Sequence, residues 1–151
     1  TSVSKCFKMD ESGIKWERRA MFLGTFEVVL NEKNRVALPA KLRRELTARE
    51  LVLSIGFEKC ILGFEEKKWA EVTAADLSRP LSDAEGRNLR RKLCMDAQMI
   101  ELDAQGRFVV PELMINYAGV GKEAVLIGAG DHFEIWAKTR WVAYSATLTE
   151  T

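Results

Sequence analysis

The ten residues Leu30-Asn31-Glu32-Lys33-Asn34-Arg35-Val36-Ala37-Leu38-Pro39 are written a second time as Leu102-Asp103-Ala104-Gln105-Gly106-Arg107-Phe108-Val109-Val110-Pro111. The offset is 107 − 35 = 72, and the same ungapped frame lays Ile55-Gly56 on Ile127-Gly128, Phe64 on Trp136 and Trp69 on Trp141. Matches that persist in one frame from Leu30 to Trp69 mark a duplication, so the unit built by the first half is built again by the second.

Each copy predicts a tight β-hairpin. Apolar residues run up to Leu30 or Leu102, polar residues fill the bend, and apolar residues resume at Val36 or Phe108. Asn31 or Asp103 offers a side-chain oxygen to the backbone N–H groups ahead of it. The fourth turn position is Asn34 or Gly106, the residue types that enter left-handed φ most cheaply. This is the pattern of a type I turn closed by a bulge. Arg35 and Arg107 stand at the same place just past the bend. Pro39 and Pro111 then stop the second arm and open a short helix, because neither can donate to a ladder and both suit a first helical turn.

At these residues the chain resembles the MraZ family, bacterial DNA-binding regulators built from two tandem swapped-hairpin repeats related to AbrB. The family's Asp-x-x-x-Arg motif is intact as Asp103 to Arg107 and altered in the first repeat to Asn31 to Arg35, and Met21-Phe22-Leu23-Gly24 looks like the family's start. The resemblance covers about Met21 to Trp141. It implies an α+β, mainly β fold in which two tandem repeats interleave in one pseudo-twofold, β-barrel-like body with peripheral helices. It also implies a regulator, expected to be a repressor, of its own division and cell-wall gene cluster, acting on short repeated DNA boxes as a homo-oligomer, a ring of subunits.

The remaining organisation follows from local pattern. Residues 1–20 lie outside the resemblance and are expected to be an N-terminal extension or a start-site artefact. Repeat one is placed at 21–75, a connecting helix at 76–96 and repeat two at 97–147. After each hairpin come a short helix, a strand pair and a longer helix. In the first repeat these are Pro39–Leu46 with Leu42 and Leu46 on one face, Leu51–Ile55 with Cys60–Phe64, and Glu65–Ala75 with Trp69 and Val72 facing inward. Between the repeats, Ser82-Asp83-Ala84-Glu85 has the spacing of a capping box with serine as the cap. Trp69, Trp136 and Trp141 recur with the repeat or near helical spacing and are expected in the core. A unit of this size offers too little sheet to close a core alone, so two are expected to share one.

Arg35 and Arg107 are the leading site candidates. A guanidinium makes two parallel hydrogen bonds to guanine or holds a phosphate, and a rigid turn beside it sets its direction. Asn31 and Asp103 are expected to hold the turns, and the carboxylate to hold its arginine as well. Lys33 and Gln105 lie in the loops themselves, with Lys41, Arg43 and Arg44 as secondary phosphate-contacting candidates. The first loop carries Lys33 and lacks an anion, so it is expected to dominate binding. Net charge is only +1, yet residues 31–49 hold six cations against Glu32 and Glu45. A near-neutral total therefore does not argue against a nucleic-acid partner; charge gathered on one face decides.

Several classes are set aside. No run of about eighteen apolar residues occurs, so no membrane partner is expected, and a cytoplasmic, nucleoid-associated protein is. Cys6, Cys60 and Cys94 show no CxxC spacing and read as free thiols. His132 is the only histidine and has no second ligand at metal spacing. With no acid–base or nucleophile pairing, neither an enzyme, a cofactor nor a small-molecule substrate is expected; the partner is double-stranded promoter DNA. The rival reading is an oligomeric protein-interaction scaffold, for which exposed aromatics in the loops would be the sign.

Overall fold

The two arms that each turn joins do not pair with one another. The computed structural model describes residues 21–149 and, before them, the backbone of two short strands, β1 (Phe7–Met9) and β2 (Lys15–Glu17), which pair antiparallel. The expectation of an extension or start-site artefact at 1–20 otherwise lies outside the described residues. In the first repeat β3 (Phe22–Val29) leads into the turn and β4 (Arg35–Ala37) leaves it. Helix α1 (Ala40–Arg43), strands β5 (Glu50–Ile55) and β6 (Ile61–Glu65) and helix α2 (Glu66–Leu77) follow. Helix α3 (Ala84–Cys94) connects to the second repeat: β7 (Gln98–Glu101), β8 (Arg107–Val109), α4 (Glu112–Ala118), β9 (Glu123–Gly130), β10 (Phe133–Ala137) and α5 (Lys138–Thr149).

The order in the large sheet is β3-β9-β10-β6-β5-β7, with β4 and β8 forming a ribbon of their own. Every pairing is antiparallel. The order reads the same from both ends once the repeats are exchanged, and each half places a strand beside strands of the other. The chain is α+β with a mainly antiparallel sheet. The barrel-like closure expected from the sequence is absent: β3 and β7 remain edges, and nothing pairs across them among the described residues.

The registers locate the symmetry centre and correct the alignment. Val36 faces Phe108 in the ribbon and Leu62 faces Glu134 at the seam, each pair exactly 72 apart. In β5 and β9, however, the offset is 73. Leu30 N–H donates to Lys122 O and Leu102 N–H to Arg49 O, so Lys122 corresponds to Arg49. Gly56 likewise corresponds to Ala129, not to Gly128 as the ungapped frame had it. The second repeat gains one residue between Pro111 and β9, where α4 runs longer and ends on Gly119 in left-handed φ (+66°). It loses one in the next turn, closed by Ala129 N to His132 O where the first repeat uses Gly56 N to Cys60 O.

Alternation along the strands divides the molecule into layers. On the inner face of the sheet Leu51, Leu53, Ile61, Leu126, Phe133 and Ile135 meet Val36, Leu38, Phe108 and Val110 of the ribbon and Leu42 and Met114 of α1 and α4. On the outer face Phe64 packs on Trp69 of α2 (ring centroids 5.5 Å apart) and Trp136 on Trp141 of α5 (5.3 Å), the same pair in both repeats. Trp69, Trp136 and Trp141 therefore serve packing. Two local expectations are corrected. Thr73, not Val72, is the inward residue of α2: it lies four past Trp69, and its hydroxyl donates to the Trp69 carbonyl (2.7 Å), which makes its burial cheap, while Val72 is exposed. Asp83, not Ser82, caps α3: its carboxylate accepts from Glu85 N–H (3.1 Å) while paired with Arg79 (2.6 Å), and a charged cap suits a helix N-terminus better than a hydroxyl.

Candidate nucleic-acid interface

Both turns close as their residues require. Asn34 donates to Asn31 O and Gly106 to Asp103 O (3.0 Å each), and Asn31 and Asp103 donate to the carbonyls of Arg35 and Arg107 (3.0 and 2.8 Å). Asn34 (φ +59°) and Gly106 (φ +76°) take the left-handed position. Each turn is tied from within by a side chain: Asn31 Oδ1 accepts from Lys33 N and Arg35 N (2.9 Å each), Asp103 Oδ1 from Gln105 N and Arg107 N (2.8 and 2.9 Å). The turns also lock one another, since Leu38 N–H donates to Gly106 O and Val110 N–H to Asn34 O.

The ribbon sets the direction of the arginines. Its inner face carries Val36 and Phe108, both buried. Arg35 stands opposite Val109 and Arg107 opposite Ala37, so these four side chains share the outer face. Diagonal partners in such a ribbon lie about 7–8 Å apart at their α-carbons. The two arginines thus come from opposite halves of the chain to one short surface, with the turns bearing Lys33 and Gln105 at its two ends. Sequence reasoning found both arginines but missed that one ribbon carries them, because the pairing β4–β8 spans the whole chain.

The two halves differ in what holds the arginine. Arg107 Nε donates to Asp103 Oδ2 (3.0 Å), both groups partly exposed. The Arg107 backbone N–H, and then that of Gln105 and the Arg107 guanidinium, keep the Asp103 carboxyl below the usual carboxylate range. Asn31, an amide, offers Arg35 no such carboxylate from its own turn; it accepts from the Arg35 backbone N–H. Lys41 and Arg44 are exposed. Arg43 is not: its guanidinium turns onto the second loop and donates to Gln105 O (2.9 Å).

A second polar cluster lies on the outer face of the sheet, away from the ribbon. His132 Nδ1 meets Asp131 Oδ1 (2.7 Å) and Nε2 meets Glu134 Oε2 (3.0 Å), and the ring stacks on Phe64. Both ring nitrogens face carboxylates, an arrangement that suits the doubly protonated ring. Burial pushes the Cys60 thiol up to about 12, away from reactivity. Among the described residues no helix is long and apolar enough to cross a membrane.

Comparison with known proteins bears on the same residues. The model of a family described as "MraZ protein, putative antitoxin-like" matches residues 21–92 and again 93–151. A "Transcriptional regulator MraZ" of Roseiflexus sp. (strain RS-1) is 39% identical over 121 residues, covering 80% of this chain and 84% of the relative. Proteins of the same name from Kocuria rhizophila and Lactobacillus delbrueckii subsp. bulgaricus are 41% identical over 124 residues (82% and 86% covered) and 36% over 130 (86% and 90%).

Proposed function

The chain belongs to the MraZ family, and on that premise we propose that it is a sequence-specific DNA-binding transcriptional regulator. It acts as a repressor at short repeated boxes before its own division and cell-wall gene cluster. The observation that carries this reading is the outer face of the β4–β8 ribbon, where Arg35 and Arg107 flank Ala37 and Val109. The major groove of B-DNA admits a two-stranded ribbon, arginine pairs bidentately with guanine, and small apolar side chains suit a thymine methyl. The ribbon is short, so one chain reads only a few base pairs. Lys33 and Gln105 at the ribbon's ends, with Lys41 and Arg44, supply the phosphate contacts that position it.

The interleaved strand order supports describing 21–75 and 97–147 as swapped-hairpin repeats joined by 76–96. Weak contacts gain strength when linked, because every contact after the first is intramolecular. A ring of subunits meets that need, and the open edges β3 and β7, with exposed Leu23, Val29 and Met99, supply surface for it. The mass of the species in solution tests this: a lone monomer at working concentration contradicts it. The protein is placed in the cytoplasm, on the nucleoid. As for a protein-interaction role, the fully exposed aromatic Phe57 stands at the β5–β6 turn and not on the ribbon, which suits contacts beside DNA binding better than in place of it.

The test is binding to a duplex from the gene's own upstream region and to a scrambled duplex of equal length, over a salt series. A preference for the upstream duplex that persists as salt rises is expected, because base contacts do not release counterions. Equal, steeply salt-dependent binding to both would leave only a cationic surface and favour the scaffold.

A further inference from the structure

In the frame that aligns the repeats up to the short helices, Arg43 at the end of α1 corresponds to Ile115 in α4 (115 − 43 = 72), and Asn34 to Gly106. The two substitutions are one feature. Arg43 crosses from the first repeat to the second repeat's turn, where Nη1 donates to Gln105 O (2.9 Å) and, more weakly, to Leu38 O (3.4 Å). Its side chain lies so close to Gly106 that a β-carbon there would overlap it. A side chain at 106 would therefore have to displace Arg43 from the turn, whereas glycine leaves it in place; left-handed φ alone does not demand glycine, since Asn34 adopts it in the first turn. In the first turn the matching helix residue is the partly buried Ile115, and Asn34, which has a β-carbon, is accommodated.

We propose that Arg43 is a positioning residue for recognition: it fixes the second turn and so aims Arg107, while the first turn, which carries Arg35, has Ile115 at the matching helix position and gains no such crossing guanidinium. The two ends of a pseudo-symmetric ribbon then differ in stiffness. The clamped end, with the Asp103–Arg107 pair and Arg43, presents one fixed guanidinium geometry, and the free end adapts. One chain consequently binds its site in a single orientation. This rests on the reading of the ribbon as a DNA-binding face, and it removes Arg43 from the phosphate-contacting set.

Three readings on the full-length protein test it. On the free protein, the Gly106 amide should show greater hydrogen-exchange protection than the Asn34 amide, and Arg43→Met should lower the Gly106 value about tenfold while leaving Asn34 unchanged; no change at Gly106 overturns the clamp. On DNA, Arg43→Met should cut the preference for the upstream over the scrambled duplex on the order of tenfold with the salt slope unchanged, and Arg43→Lys, which keeps a donor, should restore part of it. A salt slope reduced by about one, with equal loss on both duplexes, would make Arg43 a phosphate ligand instead. Gly106→Asn should destabilise the native protein but be tolerated beside Arg43→Ile, which recreates the first turn's pairing of Asn34 with Ile115; equal cost in both backgrounds contradicts the coupling. A wild-type protein without duplex preference would overturn the DNA reading, and the aiming of Arg107 with it, while exchange and the Gly106→Asn pair still decide the clamp.

Discussion

At the scale of residues, chemistry that acts within four or five positions is the part that a sequence exposes. Asn31, Asp103, Asn34 and Gly106 announce their turns because an Asx oxygen and a left-handed position are local requirements. Arg43 was legible as a cation but not as a clamp, since its partner is a carbonyl 62 residues away; the signal was there in the paired exchanges Arg43/Ile115 and Asn34/Gly106. His132 was set aside as a metal ligand without its real neighbours being visible. Its pKa lies above the ordinary 6.5: the hydrogen bond to Glu134 raises it most, burial opposes, and Asp131 adds to the rise. A group with a raised folded-state pKa stabilises fully below its unfolded value and loses that contribution as pH climbs through the folded one. The difference in melting temperature between the wild type and His132→Gln should therefore be largest below about pH 6.5 and shrink as pH rises past the folded-state pKa. A difference independent of pH would show that the ring acts by packing against Phe64 alone.

At the scale of elements, the strands and helices were legible where period and punctuation agree, and their partners were not. Nothing in Phe26–Leu30 or Arg35–Leu38 says that the arms separate after the bend, β3 pairing with β9 and β4 with β8. The ungapped frame also concealed a gain before β9 balanced by a loss after it, because both ends still matched; only the register reveals Gly56 over Ala129. The seam between the halves is β6–β10, where Gly63 lies opposite Phe133. Phe133 is fully buried against Phe22 and Phe108 (5.9 and 6.3 Å between ring centroids), and a β-carbon at 63 would overlap its ring. Gly63→Ala should cost about 1–3 kcal/mol by overpacking. Combined with Phe133→Leu it should cost less than the two single changes summed, read from urea unfolding; strict additivity would mean that the cost at 63 does not come from the Phe133 ring.

At the scale of the whole molecule, duplication is what turns two small loops into one surface. Neither half could build the ribbon, since each supplies three of its residues in β4 or β8 and the core beneath it needs Val36 from one and Phe108 from the other. The same interleaving leaves β3 and β7 unpaired at their outer edges among the described residues, so the body expected to be β-barrel-like is instead an open sheet with a ribbon across its inner face. The function assigned to that ribbon depends on two guanidinium groups whose removal should not disturb the core, because Arg35 and Arg107 are on the solvent side. The most direct measurement is binding of the Arg35→Ala/Arg107→Ala protein to the upstream duplex, beside its thermal unfolding curve. Preference over the scrambled duplex is expected to disappear while the protein stays folded and assembled. Undiminished preference in that variant would contradict the function assigned to the ribbon.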